Sequence, residues 1–165
     1  MKKFLLGVMV SLCSLTPSLG QEADSALHQL RVIVDGISKK EGNLIVGVVN
    51  RRQWEERTLK ECRQIVPITD QTMEVKFDSL RAGDYAIMVI VKEDVISQNV
   101  TPMEEQTGFS QNPKKPWKGV IHEDGTVSMS APEFEQIMFQ IPQKKTMRIV
   151  LGNPAKSVEL KEQTK

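Results

Sequence analysis

The stretch Met73-Glu74-Val75-Lys76-Phe77-Asp78-Ser79-Leu80-Arg81-Ala82-Gly83-Asp84-Tyr85-Ala86-Ile87-Met88-Val89-Ile90-Val91 decides the fold class. In its first part Met73, Val75 and Phe77 are apolar, and Glu74, Lys76 and Asp78 are charged. Successive side chains of a strand point to opposite faces, so this alternation predicts a strand with one buried and one wet face. From Tyr85 to Val91 the chain is apolar on both faces, as expected of a strand at the centre of a sheet. Between the two strands Arg81-Ala82-Gly83-Asp84 carries turn chemistry. Gly83 suits backbone angles that other residues avoid. Tyr85 can bury its ring while its hydroxyl bonds back to the turn, a tyrosine-corner arrangement that speaks for architecture and not for chemistry.

The same periods recur outward from these two strands. Leu30, Val32 and Val34 alternate with Arg31, Ile33 and Asp35, and Leu44 to Val49 is a second run apolar on both faces. Ile137, Phe139 and Ile141 alternate, as do Met147, Ile149 and Leu151, and Cys62 to Ile68 is a weaker run. Turn residues punctuate them at Asp35-Gly36, Lys40 to Asn43 and Thr69-Asp70, and Asp124-Gly125 can close a small hairpin. Arg51 to Lys60, with Trp54 and Leu59 as its large apolar residues, reads as a short surface helix or loop between strands two and three. The expected fold is an all-β, single two-sheet sandwich of about seven strands.

Lys2 and Lys3, the apolar run Phe4 to Leu15, the helix breaker Pro17 and the small residues of Ser18-Leu19-Gly20 have the order of a secretory signal peptide. The apolar run is shorter than the ~20 residues a membrane span needs. The expected organisation is residues 1–20 as the signal peptide, 21–153 as the sandwich domain and 154–165 as a polar C-terminal tail. Location is expected to be secreted or periplasmic, with lipidation at Cys13 disfavoured by the large Leu12 before it. Removing residues 1–20 takes away Lys2 and Lys3 from 22 basic residues and none of the 21 acidic ones, a net charge of −1. That balance excludes the strong positive field of a nucleic-acid binder. Only Cys62 remains, so no intramolecular disulfide forms, and a lone thiol reads as a small buried apolar group.

Several segments, taken in order, resemble a known family. They are Leu30 to Asp35, Gly42-Asn43-Leu44-Ile45-Val46, Leu80 to Ala86, Gly108-Phe109-Ser110-Gln111-Asn112-Pro113 and Pro132-Glu133-Phe134-Glu135. Their order and spacing resemble the exported bacterial family catalogued as domain of unknown function 2141, over roughly residues 28–152. The resemblance implies a transthyretin/prealbumin-like sandwich in the cell envelope or secreted, and it implies no activity. Family members usually carry His-Asp-x-Asn-x-Asn-Gly-x-Leu-Asp after the tyrosine-bearing strand, the oxygen-ligand spacing of a calcium site. Here the stretch is Val91-Lys92-Glu93-Asp94-Val95-Ile96-Ser97-Gln98-Asn99, without the histidine, the alternating ligands or the glycine. No metal and no cofactor is therefore expected.

Hydroxyisourate hydrolases share the transthyretin-like fold, but they end in Tyr-Arg-Gly-Ser and this chain ends Lys161-Glu162-Gln163-Thr164-Lys165. His28 and His122 lack the spacing of metal ligands. The segment Gly108 to Gly119 combines aromatic and basic residues, and nominates Phe109, Asn112, Lys115 and Trp117 as binding residues for a protein or glycan. The plainer alternative is that Phe109 and Trp117 pack the segment onto the sandwich while the lysines are solvated. The functional expectation is an exported, non-catalytic sandwich that binds a protein or glycan partner. Two alternatives stand beside it: an enzyme working near His122 and Glu123, and a structural accessory domain of an envelope assembly.

Overall fold

A computed structural model of the chain describes residues 26–58, 63–93, 105–122, 126–152 and 158–162. The two strands that decided the fold class are β4 (Thr72–Leu80) and β5 (Gly83–Lys92), and they go to different sheets. β4 pairs antiparallel with β1 (His28–Asp35), which pairs parallel with β10 (Thr146–Val150). β5 pairs antiparallel with β2 (Asn43–Asn50), which carries β3 (Arg63–Pro67) on its other edge. The far edge of β5 is shared by β6 (Thr107–Phe109) and β9 (Phe139–Ile141). The two layers are therefore β10-β1-β4 and β3-β2-β5-β6, with β9 beside β5.

Period two places the core. Leu30, Val32 and Val34 of β1, Leu44, Val46 and Val48 of β2, Ile87, Val89 and Val91 of β5, and Met147 and Ile149 of β10 all point between the layers. Each such aliphatic side chain contributes about 1.5–3 kcal/mol by leaving water. The apolar second faces of β2 and β5 are also used. Val49 and Ala86 are fully buried on the outer side of that sheet, in a second cluster with Phe109, Trp117, Phe134 and Ile137.

Much of what covers the outer side is a third layer. β7 (Trp117–Ile121) pairs antiparallel with β8 (Val127–Ser130), the hairpin expected around Asp124-Gly125. On its other edge β7 pairs parallel with β11 (Val158–Glu162). The chain thus has eleven strands among the described residues where about seven were expected. Two of them, β6 and β11, lie in stretches read as a connection and as the polar tail, and β7 and β8 form the small hairpin that stood outside the seven. Ile137, expected in a strand, instead ends the single-turn helix α2 (Phe134–Ile137) before β9 begins.

The expected short helix is α1 (Arg51–Glu55). Asn50 caps it: its side chain accepts the Gln53 N–H at 3.0 Å, and Gln53 Oε1 accepts the Asn50 N–H at 3.0 Å. This reciprocal capping box satisfies two backbone donors that a helix end leaves open. Gly83 has φ +154°, and an added Cβ would meet only the Tyr85 ring at an ordinary 3.8 Å. Its requirement for glycine is therefore conformational and not steric.

The wet faces carry ion pairs that tie neighbouring strands. Arg31 Nε donates to Glu74 at 3.0 Å across β1 and β4, and Lys39 meets Glu93 at 2.8 Å. The Thr72 hydroxyl and then the Arg148 guanidinium hold Asp35 below the ordinary carboxylate range. Arg31 lowers Glu74 and Lys39 lowers Glu93 in the same way. A carboxylate depressed by folding stabilises the fold above its unfolded pKa, and that contribution is lost as pH falls through the folded value. The expected melting temperature is level between about pH 7 and 5 and falls below about pH 4. A calorimetric pH series checks this, and a melting temperature that rises on acidification would contradict it.

Candidate functional site

The Gly108 to Pro113 segment is where aromatic, amide and hydroxyl side chains converge, and its geometry is that of a stitch. Gly108 lies so close to β10 that an added Cβ would meet Ile149 Cγ2 at 2.6 Å and Leu151 Cδ2 at 3.0 Å. Only glycine lets β6 come this near to the facing layer. Phe109 is 1% exposed and forms the centre of the second core. Its ring meets Trp54 at 6.1 Å and Trp117 at 5.5 Å between centroids, both edge to face. That is the arrangement the quadrupoles of aromatic rings favour.

Ser110 fills the gap on the β5 edge between β6 and β9. Its N–H donates to the Ile87 carbonyl at 3.0 Å, and its hydroxyl accepts the Ile87 N–H at 2.9 Å. The same hydroxyl donates to the Ile137 carbonyl. Gln111 and Asn112 both have positive φ, 65° and 46°, which turns the chain back over β10. There the Asn112 amide donates to the Arg148 carbonyl at 2.9 Å and accepts the Val150 N–H at 2.8 Å. One side chain thus takes the place of a neighbouring strand on that edge, a way of blunting it against pairing. Of the nominated residues, Phe109 and Trp117 are buried, Asn112 is spent on β10, and Lys115 is exposed. The structure brings Phe109 and Trp117 together and leaves Lys115 apart from them on the connection to β7.

An open cleft of about 610 Å³ lies next to the second core. Trp54, Met88, Trp117, Met129 and Phe134 line its apolar part. α1 presents Trp54, the outer face of β5 presents Met88, β8 presents Met129, and α2 presents Phe134. The Trp117 indole N–H donates to the Thr107 hydroxyl at 3.1 Å, so its polar edge is already occupied. The carboxylates on the rim are engaged as well. Glu133 meets Lys118 at 2.7 Å, and Glu135 is bonded to Arg51, whose guanidinium carbon lies 4.8 Å from the Phe134 ring centroid. Arg51 holds Glu135 below the ordinary carboxylate range, with its backbone hydrogen bond second. Arg57 also lines the cleft, and no carboxylate among the described residues pairs with it. Apolar walls with few polar groups, in a volume of this order, are the composition of a recognition cleft. A signal for it was present in the sequence: β2 and β5 are apolar on their second faces too, so something had to cover them.

The profile of a family described as uncharacterized proteins conserved in bacteria, domain of unknown function 2141, matches residues 32–149. The chain belongs to that family. No curated protein and no solved structure matches it.

After β5 this member of the domain of unknown function 2141 family runs Glu93-Asp94-Val95-Ile96. Lys92 ends β5 only 6% exposed and lies 3.8 Å from Glu105, and Glu93 is paired with Lys39. Positions 94–104 lie outside the described residues, and so do Cys62, Glu123, Asp124 and Gly125. Among the described residues no three of His, Cys, Asp and Glu converge. His28 begins β1, and His122 Nε2 lies 2.9 Å from the Ser128 hydroxyl across the β7–β8 hairpin. The two histidines therefore sit on different sheets. No described helix is long and apolar enough to cross a membrane.

Proposed function

We propose that the protein is an exported, non-catalytic β-sandwich that engages a protein partner of the cell envelope through the cleft beside Trp54 and Phe134. The observation that carries this is the apolar cleft whose bordering polar groups are largely spent within the fold. A glycan is the weaker occupant. Sugar recognition needs polar groups to meet the ring hydroxyls, and Trp117 is only 6% exposed. An apolar side chain of a protein asks for the opposite, a dry aromatic and thioether pocket with an engaged polar rim. β8 borders the cleft and pairs on one edge only among the described residues, so an extended partner segment can run beside it.

Export is supported by the order of Lys2-Lys3, Phe4 to Leu15 and Ser18-Leu19-Gly20. Sequencing the N-terminus of the protein recovered from its own cells is expected to begin at Gln21. The transthyretin-like reading is supported by the parallel β1–β10 pair in one layer facing β3-β2-β5-β6 in the other.

The binding test uses a photo-crosslinking amino acid at Met129 in the cleft, and at Val150, which is 55% exposed on β10. Crosslinking in the native envelope is expected to give a discrete protein adduct from position 129 and none from 150. The protein so identified, purified, should bind the wild type at least about tenfold more tightly than Trp54→Ala, as for a truncated anchor residue. Equal adducts from both positions, a carbohydrate adduct, or unchanged affinity of the variant would sink the proposal.

A further inference from the structure

A second cleft, of about 430 Å³, opens at the margin of the main core and has the opposite electrostatic character. Arg63, at the start of β3, and Arg81, in the turn between β4 and β5, both line it. Both are exposed, and neither pairs with a carboxylate among the described residues. Arg31, Arg51, Arg52 and Arg148, by contrast, are each tied to one. Among the described residues no aspartate or glutamate lines this cleft. The apolar part of its lining includes Phe77, Leu80 and Tyr85, half-buried and packed against the main core, beside the neutral polar Gln53, Gln64 and Ser79.

Two like charges on one rim repel, and an opposite charge between them relieves that repulsion. A guanidinium presents a planar fork of donors that matches carboxylate and phosphate oxygens. Asn50 also borders the cleft, and its Oδ1 is taken by the Gln53 N–H, so its remaining side-chain group is an NH2 donor. Exposed cations and a donor in one cleft with half-buried apolar side chains suit a ligand that is anionic at one end and apolar along its body. Either half alone uses only half of the site. We propose that this cleft binds an amphipathic organic anion, its phosphate or carboxylate between Arg63 and Arg81 and its apolar body against Phe77, Leu80 and Tyr85. The site is distinct from the cleft beside Trp54 and does not depend on the partner proposed for it.

Titration calorimetry at low salt with hexyl phosphate, inorganic phosphate and hexanol tests both halves. Hexyl phosphate is expected to bind at least tenfold more tightly than inorganic phosphate or hexanol. Arg63→Gln and Arg81→Gln, with wild-type melting temperatures, should each weaken it at least tenfold. Lys145→Gln, which removes an exposed charge away from the cleft, should leave it unchanged. Sedimentation with vesicles of phosphatidic acid in phosphatidylcholine identifies the source. Co-sedimentation lost in both arginine variants assigns a lipid headgroup, and retention in the supernatant with hexyl phosphate bound assigns a free anion. No binding of hexyl phosphate, equal binding of inorganic phosphate or hexanol, or unchanged affinity in the arginine variants overturns the proposal.

Discussion

Replacing Ser110 with alanine is expected to destabilise the fold by about 2–4 kcal/mol, because two buried backbone groups lose their partners at once. The Ser110 side chain is 0% exposed, and its hydroxyl both accepts the Ile87 N–H and donates to the Ile137 carbonyl. Each orphaned group costs about 1–3 kcal/mol when no water reaches it. The loss is large against a total stability of about 5–15 kcal/mol for an ordinary domain. It acts where β6 and β9 meet on β5, so amide exchange at Ile87 should rise with it. Urea denaturation of Ser110→Ala beside Gln111→Ala measures the effect. Gln111 donates from an exposed side chain to the Met138 carbonyl and is expected to lose less than ~1 kcal/mol. A Ser110→Ala loss no larger than that of Gln111→Ala would show that the stitch does not hold the edge.

Phe109→Ala is expected to cost about 3–5 kcal/mol, the range for removing a buried aromatic ring. The ring is the shared partner of Trp54 and Trp117, so its removal opens a cavity under both. These are the two tryptophans of the chain, and their fluorescence reports this layer specifically. A red-shifted native emission is expected, with faster amide exchange in β7 and retained protection in β1 and β5. Phe109→Leu, which keeps most of the volume, should fall well short of the alanine loss. An unchanged emission spectrum in Phe109→Ala would refute the shared packing of the three rings.

Phe109, with Trp117, is a residue whose role the sequence left open between contact and packing, while the bonding of Ser110 went unread. Phe109 and Trp117 stand among prolines and lysines, and an aromatic residue on a connection serves either purpose equally well as a string. Their burial follows from what lies opposite. Val49, Ala86 and Met88 make the outer side of the β2–β5 sheet apolar, and the Phe109 and Trp117 rings cover it. Asn112 is similar: an amide before proline reads as a turn, and its work on Arg148 and Val150 is set by where β10 passes. Strand β6 has three residues, too few for a period of two to declare itself, whereas β9 was legible in the alternation of Phe139 and Ile141. β11 does alternate, as Val158-Glu159-Leu160-Lys161, but four residues after a glycine- and proline-bearing stretch were outweighed by their polarity.

The stretch from Met73 to Val91 shows where the two levels of information part. Period two in Met73, Val75 and Phe77, and the unbroken run from Tyr85 to Val91, determined by themselves that these are strands and which faces are dry. That is a local property, because a strand's side chains alternate whatever it pairs with. The tertiary structure alone decided that β4 and β5 part into opposite layers, that a third sheet covers the second dry face, and that the Gly108 to Pro113 segment stitches these parts together. Those outcomes depend on hydrogen bonds and ring contacts between residues far apart in the chain, such as Ser110 with Ile137 and Phe109 with Trp54, and no local period encodes them.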